Sequence, residues 1–308
     1  MNIVFMGTPE FAVPCLKRLI SDGHNVSGVF TQPDRPKGRG HRVQFSPVKI
    51  VAQENDIEVY QPLKMRDGEA LSILKELNPE LIIVVAYGQI LPKEILEFPK
   101  YGCINIHASV LPRYRGAAPI QWCVLNGEKI SGVTSMQMNE GLDTGDILLS
   151  RSTDISENDT AGDLHDKLSE IGAEVMSETI ELLIEDKLQP IRQDDSLSNY
   201  SPMLSKDLCP VDWTKSAAEV HNQIRGLSPW PVATAEYNGK IYKLHKSALS
   251  GKTTKPAGTI IEADKKLCVA CGDGNAVEIL VIQAQGKKAV NSADFLRGNH
   301  IEVNEKFM

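Results

Sequence analysis

Asn105 and His107 close the apolar run CINIH two residues apart. In a β-strand, side chains two positions apart leave the same face, so both groups would converge on one small volume. One is an amide that donates N–H, and the other holds or releases a proton near neutral pH. A third candidate, Asp143, lies in GLDTGDIL, residues 141–148, a glycine-flanked loop directly after a strand expected at 132–138. The spacing predicts that this loop sits at the ligand edge of a sheet. An aspartate beside a histidine holds its tautomer and favours its protonated form. Asparagine, histidine and aspartate around one cavity suit a reaction in which an oxyanion develops and a proton must move. No serine or cysteine occupies an elbow beside them, so a covalent acyl-enzyme is not indicated. On spacing alone, a capped strand end followed by a turn aspartate accounts for the same residues.

The elements that would position these groups are legible as alternating patterns. Residues 3–6, 26–30 and 81–86 are apolar runs, the last of them LIIVVA with no polar interruption. Helical spacing follows Glu10, through Phe11, Cys15, Leu16 and Leu19, and spans 68–77. Strand and helix in alternation predict an α/β, Rossmann-like, mostly parallel sheet covered by helices, with ligands at the carboxyl ends of its strands. One long amphipathic helix is expected over 160–187. Thr160 and Asp163 resemble a capping box, and Leu164, Leu168, Ile171 and Val175 form its stripe, with His165 and Asp166 solvated beside it. Residues 190–207 are polar and lose all periodicity, which reads as a linker. A helix at 216–225 then precedes short β-rich runs (ATAEY, KIYKLHKSAL, LCVAC, AVEILVIQAQ), the pattern of a small barrel. The expected organisation is a catalytic domain at 1–189, a linker at 190–206 and a β-barrel domain at 207–308.

Composition narrows the class. The chain has 308 residues, 42% hydrophobic and 24% charged, which is ordinary for a globular protein with two cores. No apolar run approaches the roughly 20 residues that span a bilayer. The start, MNIVFMGTPEF, lacks the basic n-region of a signal peptide. Six scattered cysteines then argue for a reducing cytoplasm. Cys268 and Cys271 form one CxxC without a second pair, so they read as two thiols in a strand ending at the turn 272–274, and no metal is expected. The formal net charge is −7, unevenly spread. Residues 206–308 carry 14 Lys and Arg against 11 Asp and Glu, and residues 1–205 carry 19 against 29. Such asymmetry fits an acidic catalytic half and a basic docking half.

The stretch NIHASVLPRYRGAAPIQW followed by GLDTGDI resembles the signature of the formyltransferases that use 10-formyltetrahydrofolate. The resemblance implies that Asn105, His107 and Asp143 are catalytic and that the co-substrate is 10-formyltetrahydrofolate. It also implies a folate-binding loop at Ser109, Val110, Leu111 and Pro112, with Val110 where the family often has leucine. Gly88, Gln89, Ile90 and Leu91 within AYGQILP, and the turn Asn139, Glu140 and Gly141, resemble the walls of the family's pterin pocket.

The acceptor is read from other segments. GTPEFA at 7–12 is a poor phosphate cradle, because Pro9 removes an N–H and Glu10 repels an anion. No GxGxxG follows the first strand, so a Rossmann cofactor is not indicated. TQPDRPKGRGHR, residues 31–42, carries Arg35, Lys37, Arg39 and Arg42 against Asp34 alone. A short basic run is often a solvated loop, and its Pro/Gly frame is not expected to fold by itself. It resembles the basic loop that methionyl-tRNA formyltransferases insert at the acceptor arm. IRGLSPWP at 224–231, CGDG at 271–274, QAQGKK and DFLRG resemble their C-terminal half. The resemblance thus covers nearly the whole chain. It implies an OB-like second domain, initiator methionyl-tRNA as partner, and tRNA contacts from the four basic residues. Met203 stands where the family's linker often has lysine, and Lys206 would substitute. A cytoplasmic monomer with no membrane partner is expected. Two rivals are another formyl-folate enzyme, such as a hydrolase or sugar-amine formyltransferase, and a catalytically idle tRNA-binding protein. Trp213, Trp230 and Tyr242 could stack on bases but read as core. His24, His245 and His300 are given no role.

Overall fold

The computed structural model describes residues 1–37 and 42–308. The chain packs as two compact units, Met1–Gly116 with Gly132–Thr153 and His165–Tyr200, and Ala117–Ser131 with Asp154–Leu164 and Ser201–Met308. In chain order the strands up to residue 201 are β1 (Asn2–Gly7), β2 (Asn25–Phe30), β3 (Arg35–Lys37), β4 (Arg42–Gln44), β5 (Val59–Tyr60), β6 (Leu81–Val85), β7 (Cys103–His107), β8 (Arg115–Gly116), β9 (Ile130–Gln137), β10 (Ile147–Asp154) and β11 (Tyr200–Ser201). The helices are α1 (Val13–Ser21), α2 (Pro47–Glu54), α3 (Glu69–Leu77), α4 (Lys93–Leu96), α5 (Pro119–Leu125) and α6 (Ala161–Ile184).

Seven strands form one sheet in the order β10-β9-β7-β6-β1-β2-β5. β1 is parallel to β2 and β6, β2 to β5, and β6 to β7, so the sheet is mostly parallel, as expected. All five residues of β6 are buried, which is why its sequence is continuously apolar rather than alternating. The strand stops one residue earlier than read, because Ala86 adopts a left-handed φ of 47°. In α1, Val13, Cys15, Leu16 and Leu19 are buried at helical spacing, and a proline in the first turn is pre-set for the helix. α6 begins with a reciprocal cap, Asp163 N donating to Thr160 Oγ1 at 3.1 Å and Thr160 N to Asp163 Oδ2 at 2.9 Å. His165 is not simply solvated, since its ring meets the Phe11 ring edge-on at 5.4 Å between centroids.

One strand departs from the expected layout. β9 runs antiparallel to β7, with Ile104 opposite Gln137 and His107 opposite Thr134. Its carboxyl end therefore lies beside the start of β7, where Met138 N donates to Cys103 O at 2.8 Å. The loop that follows is not at the ligand edge by virtue of its strand, which corrects the reading of Asp143's placement. It closes at its base, Gln137 N donating to Asp146 O at 2.9 Å, and must run back along β7 to bring Asp143 near Asn105 and His107.

The second unit contains α7 (Ala217–Gly226), β12 (Ala233–Tyr237), β13 (Lys240–Lys252), β14 (Ile260–Ala263), β15 (Leu267–Ala270), β16 (Asn275–Ala284), β17 (Val290–Asn291) and α8 (Ser292–Gly298). Its strands pair antiparallel in the order β12-β13-β16-β15-β14, with β17 on β16. The C-terminal residues bridge the two edge strands. Met308 and Glu236 exchange backbone hydrogen bonds at 2.7 and 2.9 Å, while Ile260 N donates to Glu305 O at 2.8 Å. This closure produces the barrel-like form. Val220, Ile224, Tyr237, Leu244, Val269 and Phe307 are among its core residues. Trp213 and Tyr242 are also buried there, whereas Trp230 is 58% exposed and is not core. Cys268 and Cys271 are both buried, and burial pushes the Cys271 thiol up to about 12. Among the described residues no group of three or more His, Cys, Asp or Glu could hold a metal ion, and no helix is long and apolar enough to cross a membrane.

Candidate active site

β7 presents Asn105 and His107 on one face, as period-two geometry requires. Asp143 reaches both from its loop. Its Oδ1 lies 3.5 Å from Asn105 Nδ2, and its Oδ2 lies 3.7 Å from His107 Nδ1. The first contact is long for a hydrogen bond and the second is longer than one, so the amide and imidazole remain available to a third group. Asp143 Oδ2 accepts from Gly116 N at 2.8 Å, which fixes the carboxylate. His107 is 6% exposed, and its Nε2 lies 2.9 Å from the carbonyl oxygen of Tyr114. A carbonyl only accepts, so Nε2 carries the hydrogen and Nδ1 faces Asp143.

The neighbouring loops are held as firmly. Ser109 Oγ donates to Arg113 O at 2.7 Å, and Thr134 Oγ1 donates to Ser109 O at 2.7 Å while accepting from Leu111 N at 3.2 Å. The side chains of Ser109 and Leu111 are therefore buried in the fold, and within this loop Val110 and Pro112 reach the surface. Gln89 ties Pro62 O and Met65 N, at 3.0 and 3.1 Å, and leaves Ile90 70% exposed beside buried Leu91. Asn139 Oδ1 accepts from Gly141 N and Thr144 Oγ1, at 3.0 and 2.8 Å, forming an Asx turn. Asn139, Glu140 and Gly141 line a cleft of about 530 Å³ with Lys93 and Gln137.

A cleft of about 860 Å³ lies over Thr8, Glu10, Gln32, Arg35, Phe45 and Gly88. Thr8 Oγ1 and Gln32 Nε2 both donate to Tyr87 O there, at 3.2 and 3.1 Å, which ties the ends of β1, β2 and β6 together. None of Asn105, His107 and Asp143 lines either cleft. These three side chains stand out by their mutual geometry and not by cavity size.

The model of the formyl transferase family matches residues 1–180, and that of its C-terminal domain matches 203–300. A methionyl-tRNA formyltransferase from Clostridium novyi is 53% identical over 98% of both chains. One from Geobacter sulfurreducens is 50% identical over 98% of this chain and 95% of its own. The chain belongs to the methionyl-tRNA formyltransferase family. An N-formyltransferase from Helicobacter canadensis, solved with folinic acid and dTDP-3-aminofucose, matches with a TM-score of 0.71 at 23% identity, over 92% of this chain and 99% of that one. That likeness concerns the fold alone.

In this methionyl-tRNA formyltransferase family member, the basic segment has a structured stem. β3 and β4 pair antiparallel, Arg35 opposite Gln44 and Lys37 opposite Arg42, so the flanks of the segment form a two-stranded stem. Arg39 lies outside the described residues. Burial raises the pKa of Asp34, but hydrogen bonds from Lys49 and Gln61 more than reverse this and hold it below the ordinary carboxylate value. Lys49 Nζ sits 2.5 Å from Asp34 Oδ2, so the segment's one acid is already paired outside it. Met203 is 77% exposed and Lys206 opens a short 3-10 turn.

Sequence reading missed a second set of residues. Residues 190–200 pack within the first unit, where Ile191 exchanges backbone hydrogen bonds with Ile147 at 2.8 Å. Gln193 Nε2 donates to Asp143 O at 2.9 Å and Gly145 O at 2.7 Å. Arg115 donates to Gln193 Oε1 from Nε and Nη2, at 3.1 and 2.8 Å. These contacts have no periodic signature. Only the quoted motif around Arg115 could have drawn attention to them.

Proposed function

We propose that this chain transfers the formyl group of 10-formyltetrahydrofolate to the α-amine of methionyl initiator tRNA. The observation that carries the reading is the convergence of Asn105, His107 and Asp143 within 3.5–3.7 Å on a chain about half identical to methionyl-tRNA formyltransferases along its length. In this reading the α-amine attacks the formyl carbon, a new C–N bond forms, and the bond to the folate nitrogen breaks. Asn105 Nδ2 and the imidazole of His107 donate to the formyl oxygen as it gains charge. Asp143 stabilises the protonated imidazole and relays a proton from the attacking amine toward the departing folate nitrogen, directly or through water.

The loops at Ser109–Pro112, Gly88–Leu91 and Asn139–Gly141 would hold the folate. Because Ser109 and Leu111 are buried, the first would do so through its backbone and through Val110 and Pro112. Arg35, Lys37, Arg39, Arg42 and Lys206 would meet tRNA phosphate, aided by the basic excess of residues 206–308. Chemistry would then belong to a domain at 1–189 and docking to one at 207–308, in a cytoplasmic monomer.

The test incubates the protein with 10-formyltetrahydrofolate and charged initiator tRNA, and resolves the product on an acid gel. Conversion to formylmethionyl-tRNA is expected, with none for a dTDP-aminosugar acceptor. Tight tRNA binding without conversion would leave a binding protein and refute the enzyme. Preferential formylation of the sugar would refute the acceptor.

A further inference from the structure

We infer that Gln193 is a positioning residue for the His107–Asp143 pair, its amide holding the Asp143 loop against β7 while Arg115 holds the amide. This rests on the catalytic reading above and concerns how Asp143 comes within reach at all.

β9 delivers its loop to the wrong end of β7, so Asp143 reaches His107 only if residues 138–146 are held folded back. Asp143 itself has a φ of 53°, a left-handed conformation that a non-glycine residue keeps only when its surroundings impose it. One side chain reaches the backbone at that residue and again two residues beyond it. The two hydrogens of the Gln193 amide span Asp143 O and Gly145 O, at 2.9 and 2.7 Å. Shape alone would allow the amide to be reversed, but a guanidinium can only donate. With Arg115 Nε and Nη2 on Oε1, the NH₂ must face the loop. Asp195 Oδ1 accepts from Arg115 Nη2 at 2.8 Å and anchors the guanidinium in turn.

Gln193 is 7% exposed, so water does not readily replace either donor. The same stretch also reaches the histidine side. Asn199 accepts from Tyr114 N through Oδ1 at 2.5 Å and from Arg115 N through its carbonyl at 3.0 Å. Tyr114 supplies the carbonyl that takes the hydrogen of His107 Nε2. Residues 193–199 thus grip the backbones that carry both partners.

The experiment compares Gln193→Glu and Gln193→Ala with wild type, and repeats both in an Asp143→Asn background. Gln193→Glu keeps an acceptor for Arg115 but sets a carboxylate oxygen against the two loop carbonyls, so its melting temperature should fall while it still folds, and turnover should fail. Misplacement of about 1 Å costs on the order of 10–100-fold in kcat, with KM for tRNA and formyl donor within about two-fold. In the Asp143→Asn background the further loss should shrink to under about three-fold, because the two residues act as one unit. Turnover of both Gln193 variants within about three-fold of wild type overturns the inference, as does an equal fractional loss in both backgrounds. Should Gln193→Glu fail to fold, the same comparison with Gln193→Ala decides. A loss seen for Asp143→Asn but not for Gln193 refutes this inference alone. An Asp143→Asn variant as active as wild type removes the catalytic role of Asp143 and this inference with it.

Discussion

His107 Nε2 donates to the backbone carbonyl of Tyr114 across 2.9 Å, and this bond decides what the imidazole can do. With one nitrogen committed as donor, only Nδ1 can gain or lose a proton, and Nδ1 is the atom that faces Asp143 Oδ2 at 3.7 Å. Tyr114 holds its carbonyl in place from a left-handed φ of 59°. The ring is thus oriented by backbone, and the carboxylate is left to act on its charge.

Replacing Asn105 or His107 by alanine should lower kcat by about 10²–10³, the usual cost of removing one preorganised oxyanion donor. Neither residue belongs to the basic segment, so tRNA affinity should hold. Steady-state kinetics with a parallel tRNA-binding titration is the check. Turnover within a few-fold of wild type in either variant would remove that residue from the reacting set.

Asp143→Asn keeps the shape that accepts from Gly116 N and removes the charge. Turnover should fall, because the imidazole loses the negative charge beside it, and steady-state kinetics is the check. Turnover within a few-fold of wild type would return Asp143 to a turn residue.

The strand that carries Asn105 and His107 is legible in the sequence, but the contacts that support them are not. Asn105 and His107 share a strand face by period alone, and β7 has the bounds its sequence suggests. The position of the Asp143 loop is not legible, since its strand runs antiparallel and local pattern carries no strand direction. Gln193 and Asn199 were invisible because side chain-to-backbone bonds across 50 and 85 residues leave no mark in a polar, aperiodic segment. β14 and the C-terminal closure escaped likewise, because a four-residue strand and a tail bridge are too short to show alternation.

Gly145 should resist substitution. A Cβ built there would lie 1.6 Å from the carbonyl oxygen of Gln137, at the base of the Asp143 loop. Backbone must move to admit it, so Gly145→Ala should destabilise by about 1–3 kcal/mol and reduce kcat through the displaced loop. Chemical denaturation alongside turnover tests this, and an unchanged midpoint with full activity would contradict the close approach.

His221 should impose a pH dependence on stability. Burial lowers its pKa, and the neutral ring is fully used: Nε2 donates to Glu157 O and Nδ1 accepts from Ser247 Oγ, both at 2.9 Å. The unfolded chain protonates this histidine near pH 6.5, whereas the folded chain resists. Below about 6.5 the unfolded state therefore binds more protons, so stability falls as pH drops and is restored as pH rises. His221→Gln should be less stable at pH 8 yet lose less between pH 7 and pH 5 than wild type does. Equal slopes in the two proteins would mean that His221 protonates as easily folded as unfolded.

The basic segment is expected to serve docking and not chemistry. Residues 1–205 carry 19 basic against 29 acidic side chains, so this part of the chain repels a polyanion unless a local patch draws it in. Arg35, Lys37, Arg39 and Arg42 put four positive charges close together in sequence, and Lys49 already neutralises Asp34 beside them. Phosphate contacts release about one counterion each, so affinity should fall steeply with salt. Arg39→Ala with Arg42→Ala should raise the KM for tRNA, reduce the slope of log affinity against log salt by about two, and leave folate binding unchanged. If Arg42 also orients the acceptor end, kcat falls as well, because an attacking amine out of line loses its proximity advantage. Kinetics at several salt concentrations, with folate affinity measured in parallel, decides between these roles. Unaltered tRNA kinetics at every salt would remove the segment from the docking surface, and weakened folate binding alone would assign it to the co-substrate pocket.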